Sequence, residues 1–269
     1  AENDPEKYKV FWREYGRVFK EGIATDPAAK EDLLPFFRYH SSNSEDELTT
    51  LDAYVERMPE SQSDIYYVLG DDRRTVANSP HLDPFKARNL EVLYWIDPLD
   101  VLIAPMMADY KDKKFRNIDD AGLELPELEQ DETAEEKPEV AEADFNRLIG
   151  RFVTTLGDKV VEVRQSKVLK NSPVRLVSPE DAPNREMQRI YRMLGQEYEV
   201  PKKILEVNRQ HPLIANLARQ VTEHPDSELV KLSIEQLYDS ALVQEGLHPN
   251  PTAMLPRIEQ LMMLAAAAE

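Results

Sequence analysis

Five histidines (His40, His81, His211, His224 and His248) are the side chains in this sequence best suited to metal ligation or proton transfer near neutral pH. No two of them stand three or four residues apart, the spacing that puts two ligands on one helix face, so a histidine metal site is not expected. Cysteine is absent, which removes thiolate ligands, thiol nucleophiles and disulfides. The eight glycines form neither G-x-G-x-x-G nor G-x-x-x-x-G-K-[ST], so no phosphate cradle of backbone N–H groups is visible. Ser-x-x-Lys and G-x-S-x-G nucleophile motifs are missing as well. With 51 acidic residues, no single carboxylate pair stands out for acid–base work. What remains open to catalysis is a ligand site at the C-terminal ends of two apolar strands, "IYYVLG" and "LEVLYWI". There Tyr66, Tyr67, Asp71 and Asp97 would serve a small-molecule enzyme, although those ends carry no glycine-rich turn.

Apolar surface is the other chemistry on offer. The stretch "EMQRIYRMLGQ" puts Met187, Ile190, Tyr191 and Leu194 on one side of a helix, with Met193 just off it. The spacing by itself favours core packing, while methionine's flexibility also suits an adaptable binding surface. Near the end, "DSELVKLSIEQLYDSALVQEG" and "NPTAMLPRIEQLMMLAAAA" read as two helices carrying Leu229, Leu232, Leu237, Leu242, Leu255, Ile258, Leu261 and Met262. That is more apolar face than a terminal hairpin covers alone. A homodimer built through a four-helix bundle is expected, with intramolecular core as the competing reading.

The elements that must position these residues fall into two halves. A chain of 269 residues with 41% hydrophobic content can build one large domain or two ordinary ones. No apolar run approaches the roughly 20 residues that span a bilayer, and "AENDPEKYKV" lacks the parts of a signal peptide, so no membrane partner is expected. A net charge of −18 opposes a phosphate backbone and argues against nucleic acid. The absence of cysteine fits a cytoplasmic location. Helical spacing is under way almost at once, from Tyr8, so a piece of a longer protein is expected.

Residues 5 to 39 read as helix, turn, helix. Val10, Phe11, Tyr15, Val18 and Phe19 recur at helical steps, Gly22 stops the first helix, and Thr25 or Asp26 with Pro27 starts the second. A short helix "LTTLDAYVERM", the two apolar strands and a helical stretch broken at Pro80 predict a small αβα layer with at least one parallel pair. From Asp119 to Asp144 twelve acidic residues face one lysine, with Pro126 and Pro138 interspersed, as in a charged linker. Beyond it, "DFNRLIGRFVTTLG" is an amphipathic helix with Phe145, Leu148, Ile149, Phe152 and Val153 on one face. The strands "KVVEVRQSKVL", "VRLVS" and "KKILEVN" follow.

The runs "FWREYGRVFKEG", "FFRYHSS", "ELTTLDAYVERMPESQSDIYYVLGD" and "SPHLDPFKARNLEVLYWIDPLD", in that order, resemble the later middle domain of the heat shock protein 90 chaperones. "LGDKVVEVRQSKVLKNSPVRLVS" and "LYDSALVQEGLHPNPTAMLPRIEQLMML" are similar to that family's C-terminal domain. The resemblance covers the chain from Tyr8 to Leu264 apart from the acidic linker. It implies a mixed α/β fold with residues 1–40 as a helical coil, 41–118 as a small αβα subdomain, 119–143 as the linker and 144–269 as a dimerisation domain. It also implies an ATP-driven homodimeric chaperone that clamps unfolded client proteins. ATP and magnesium would bind in an N-terminal domain outside this chain, leaving this piece non-enzymatic and without a cofactor of its own.

Carried over residue by residue, the resemblance puts dimer contacts on the last two helices and turns the Met187, Ile190 and Tyr191 face outward as a client surface. Pro183 stands where the family helix has its first methionine. In "DPLDVLIAPMM", Val101 and Leu102 occupy positions usually acidic and aromatic, and Leu102, Met106 and Met107 would form a second, more apolar client patch. The end "AAAAE" differs from the Met-Glu-Glu-Val-Asp tail of eukaryotic cytosolic members, so a bacterial or organellar type is expected.

Overall fold

In a computed structural model, which describes residues 4–125, 140–179, 200 and 202–267, Asp4 starts the first helix. Its carboxylate accepts the Lys7 N–H at 3.0 Å, and Pro5 occupies the first turn, where a missing N–H costs nothing. The helix, α1 (Pro5–Thr25), does not stop at Gly22 as predicted. A side chain there would meet Leu33 at 2.9 Å, so this glycine serves close approach of the following segment and not termination. The second predicted helix is broken into α2 (Lys30–Leu33) between two 3₁₀ turns, because Pro35 lacks the N–H that a continuing helix needs.

The described residues form two units. The first takes in the chain up to residue 78 and from residue 88 to 125. After α2 it contains β1 (Tyr39–Ser41), β2 (Ser44–Thr49), α3 (Leu51–Arg57), β3 (Ile65–Leu69) and α4 (Arg73–Ala77). Its sheet is completed further along by a strand at Leu93–Trp95 and a hairpin at residues 109–117. Where the sequence reading finds two strands in this half, the sheet has six, in the order β2-β1-β4-β3-β6-β5 once α5 (Asp83–Lys86), β4 (Leu93–Trp95), α6 (Pro98–Ile103), β5 (Asp109–Tyr110) and β6 (Lys113–Asn117) are numbered. β3 runs parallel to both β4 and β6, and the remaining pairs are antiparallel. The unpredicted strands are short or polar, such as "SEDELT" in β2, and lack the apolar alternation that marks a half-buried strand. The hairpin at Lys111 and Asp112 turns with both residues at positive φ, 47° and 64°, without a glycine.

An aromatic chain fills this unit. The Tyr67 and Trp95 rings stack at 3.9 Å between centroids, Phe115 lies 5.5 Å from Trp95, and Trp12 lies 5.4 Å from Phe37. The inward face of α1 is Trp12, Gly16, Lys20 and Ile23. The predicted stripe lies elsewhere: Val10, Phe11, Tyr15 and Val18 are 38–60% exposed, so α1 is apolar on a second, outward face as well.

The second unit comprises Ser79–Ala87 with α5, and the described residues from 140 onward. It holds α7 (Glu142–Leu156), β7 (Val160–Gln165), β8 (Val174–Val177), β9 (Lys203–Val207), α8 (Pro212–Glu223), α9 (Glu228–Gln244) and α10 (Leu255–Ala266). β9 is central, parallel to β7 and antiparallel to β8. Phe145, Leu148, Phe152 and Leu156 of α7 pack with Ile214, Leu217 and Val221 of α8 and Val230, Ile234 and Tyr238 of α9. Val153, predicted on the buried face, is 50% exposed, and Leu156 takes the inward place instead. The sequence reading names no helix where α8 stands, with Ile214, Leu217, Ala218 and Val221 on its buried face. In the same unit Asp83 closes the loop between β7 and β8: one carboxylate oxygen accepts the N–H groups of Lys170 and Asn171, both at 2.7 Å, and of Ser172 at 3.2 Å.

Candidate functional site

The four residues of the enzyme reading are not brought together as a reaction centre. Tyr66 and Tyr67 are consecutive on β3, so their side chains leave on opposite faces of the sheet, and both are buried. Asp97 is the N-cap of α6: its carboxylate accepts the Leu99 N–H at 2.9 Å, while Asp100 accepts the Asp97 N–H at 2.9 Å, a reciprocal capping box. Histidines take structural parts too. The Nδ1 atoms of His211 and His248 accept backbone N–H groups, each at 3.1 Å. His81 is buried with Nε2 2.5 Å from Glu245 Oε1, and Lys203 donates to the other oxygen of Glu245 at 3.0 Å.

Apolar surface is what the described residues do present. On α6, Pro98 and the capping box fix the first turn, and Lys20 from α1 pairs with the buried Asp100 at 2.7 Å. Val101 and Ile103 thereby face the core and Leu102 turns outward, 43% exposed. Met106 beside it is half-buried. Met107, expected in the same patch, is 3% exposed and belongs to the core of the unit.

The last helix is the larger surface. No residue of α10 is buried, and Leu255, Met262 and Met263 are each more than half exposed. Ile258 and Leu261 are half-buried. Arg257 holds α10 to α9: Nε donates to Gln236 at 3.1 Å, and the guanidinium pairs with Asp239 and, at 3.6 Å, with Glu235. On α9, Leu229 is half-buried, whereas Leu232, Leu237 and Leu242 are buried, the last two within the core of their own unit. The surface left to a partner is therefore narrower on α9 than the leucine count suggests. Sequence reasoning missed Met263 on the same helix, 63% exposed; the "LMML" run was the available signal. Met187, Ile190, Tyr191, Met193 and Leu194 lie outside the described residues.

Among the described residues, the exposed apolar side chains of α6 and α10 are the surface the geometry presents. The chain belongs to the Hsp90 protein family, whose description "Hsp90 protein" matches residues 1–269. Its likeness is to bacterial members. It is 35% identical over 266 residues to the chaperone protein HtpG of Chlorobium phaeovibrioides, covering 98% of this chain and 42% of that one. It is 36% identical over 258 residues to the chaperone protein HtpG of Streptomyces coelicolor, covering 96% and 40%, and 39% identical over 243 residues to that of Mycolicibacterium vanbaalenii, covering 90% and 37%. The chain thus spans 37–42% of the length of these relatives. Among the described residues no helix is long and apolar enough to cross a membrane.

Proposed function

We propose that this chain is the client-holding and dimer-forming portion of a cytoplasmic, bacterial-type Hsp90 chaperone. The observation that carries the dimer is α10, a twelve-residue helix with no buried residue and an apolar face of Leu255, Ile258, Leu261 and Met262. Pairing α9 and α10 with the same helices of a second copy makes a four-helix bundle across a two-fold axis, and each copy covers the other's exposed face. Unfolded client segments are held by Leu102 and Met106, together with the Met187, Ile190 and Tyr191 face that the family resemblance supplies. Flexible methionine side chains suit many apolar sequences. The chain binds no cofactor in this reading; ATP and magnesium belong to another part of the whole protein, whose hydrolysis cycle opens and closes the dimer. Support for a chaperone comes from the relatives' names, and the small-molecule enzyme receives none from them.

Light scattering tests the dimer directly. The chain is expected at twice its monomer mass at micromolar concentration, and Leu255→Asp combined with Leu261→Asp is expected to return it to the monomer with unchanged circular dichroism. A wild-type chain that runs as a monomer would refute the dimer.

A further inference from the structure

The chain has eight methionines and no cysteine, so every sulfur it offers to an oxidant is a thioether. Among the described residues, Met107 and Met254 are buried, at 3% and 8% exposure, and Met58 and Met106 are half-buried. Met262 and Met263, consecutive on α10, are the described methionines that stand open, 66% and 63% exposed. Oxidation of methionine follows access to the sulfur, so these two should react ahead of the buried pair.

Their place on α10 gives that reaction a consequence. Met262 belongs to the face of Leu255, Ile258 and Leu261, where a flexible apolar side chain packs well. Consecutive residues stand about 100° apart around a helix, so Met263 lies to the side of that face. A second copy seated on the face would cover Met262 and leave Met263 within reach of solvent. A sulfoxide is polar, and its oxygen accepts hydrogen bonds. The side chains of Leu255, Ile258 and Leu261 carry no donor to meet it, so packing a sulfoxide among them carries the cost of a buried, unpaired acceptor.

We propose that Met262 and Met263 form a peroxide-sensitive modification site whose oxidation weakens assembly through α10, an inference that rests on the dimer reading above. The sulfur lone pair attacks one peroxide oxygen, an S–O bond forms and the O–O bond breaks. The second oxygen leaves as hydroxide and takes the proton of the transferred oxygen, giving water. Sulfur is oxidised by two electrons and the peroxide is reduced by two. Met263 reacts in either state, and Met262 reacts when the copies part, after which the polar face re-pairs poorly. Methionine sulfoxide reductases reverse the change.

Hydrogen peroxide treatment of the full 269-residue chain, followed by peptide mass mapping, tests the site. Met262 and Met263 are each expected to gain one oxygen before Met107 and Met254 do. Raising the chain concentration is expected to slow the reaction at Met262 and not at Met263. Light scattering over a dilution series reads assembly, each protein being compared with itself before peroxide. The dimer dissociation constant of the treated chain is expected to rise about tenfold, and methionine sulfoxide reductase is expected to restore it. Met262→Leu combined with Met263→Leu, which removes both sulfurs, is expected to show no rise. The proposal is overturned if Met107 or Met254 is oxidised as fast as the α10 pair, or if a chain carrying both sulfoxides pairs as tightly as before. It is equally overturned if the double-leucine protein loses its dimer to peroxide to the same extent. A chain that is monomeric before any peroxide is added refutes the dimer reading itself, and the effect on assembly falls with it.

Discussion

Glu206 on the central strand of the second unit stands in register with Arg175 on the neighbouring strand, and the two side chains meet at 2.8 Å in the buried interior. Arg164, in register on the other side, donates to the same carboxylate at 2.8 Å, and Ser166 adds a hydroxyl at 3.2 Å. One acid thereby ties together all three strands of the sheet.

Burial pushes the Glu206 carboxyl up, but Arg175 and Arg164 outweigh it and hold the group below its ordinary 4.5. A depressed acid contributes stability that is complete above pH 4.5 and is lost as pH falls through the lower folded value. Glu206→Gln is expected to remove that acid-sensitive part of the unfolding curve. It should also cost about 3 kcal/mol at neutral pH by leaving the Arg175 guanidinium buried without a counter-charge. Urea titrations of both proteins across the acid range would check this, and parallel pH profiles would contradict it.

Lys20 and Asp100 join α1 to α6 in the first unit. Burial raises the Asp100 carboxyl above its ordinary 3.8, and Lys20 opposes that rise without cancelling it. With a raised folded value, this group favours the folded state most at low pH, and the advantage is lost as pH rises through the folded value. Lys20→Met is expected to destabilise by about 3–5 kcal/mol at neutral pH, with a deficit that shrinks as Asp100 is protonated. The double variant Lys20→Met with Asp100→Asn should recover part of the loss in chemical denaturation. A deficit that does not change with pH would rule the explanation out.

Asp83 replaces water for three consecutive backbone N–H groups. Asp83→Ala leaves Lys170, Asn171 and Ser172 without that acceptor, so a loss of about 2 kcal/mol or more is expected. Hydrogen exchange offers a local readout. Those three amides should lose protection before the Leu205 amide at the centre of the sheet does, and equal loss at both places would argue for a global effect.

On α6, Leu102→Asp with Met106→Ser changes an exposed and a half-buried side chain, so the fold should survive. Suppression of aggregation of a heat-unfolded client by the whole chaperone is expected to fall, and to fall further when Met187, Ile190 and Tyr191 are also made polar. Unchanged suppression by all five substitutions would remove both patches from client binding. Collapse of folding in the Met187 set would instead identify that stripe as core.

Local pattern in the sequence determined a good deal of this protein. The helix of Phe145, Leu148 and Phe152 and the strands "IYYVLG" and "KKILEVN" were all legible, because each depends on residues a few positions apart. The long blocks shared with the family were legible in the same way. What tertiary structure decided was which side of each pattern faces in. Val10, Phe11, Tyr15 and Val18 have the right spacing for a core face, yet Trp12 and Ile23 are the side chains that pack in the core, on the same face as Lys20, which reaches Asp100 far along the chain. Leu237 and Leu242 look like Leu255 in the sequence and differ only in that other helices already cover them. Strands such as "SEDELT" exist because a neighbouring strand supplies hydrogen bonds, a property of the partner that their own side chains do not announce. The Tyr39 hydroxyl, buried without a hydrogen-bond partner among the described residues, arises in the same way, for burial and hydrogen bonding are set by atoms distant along the chain, and periodicity records only neighbours.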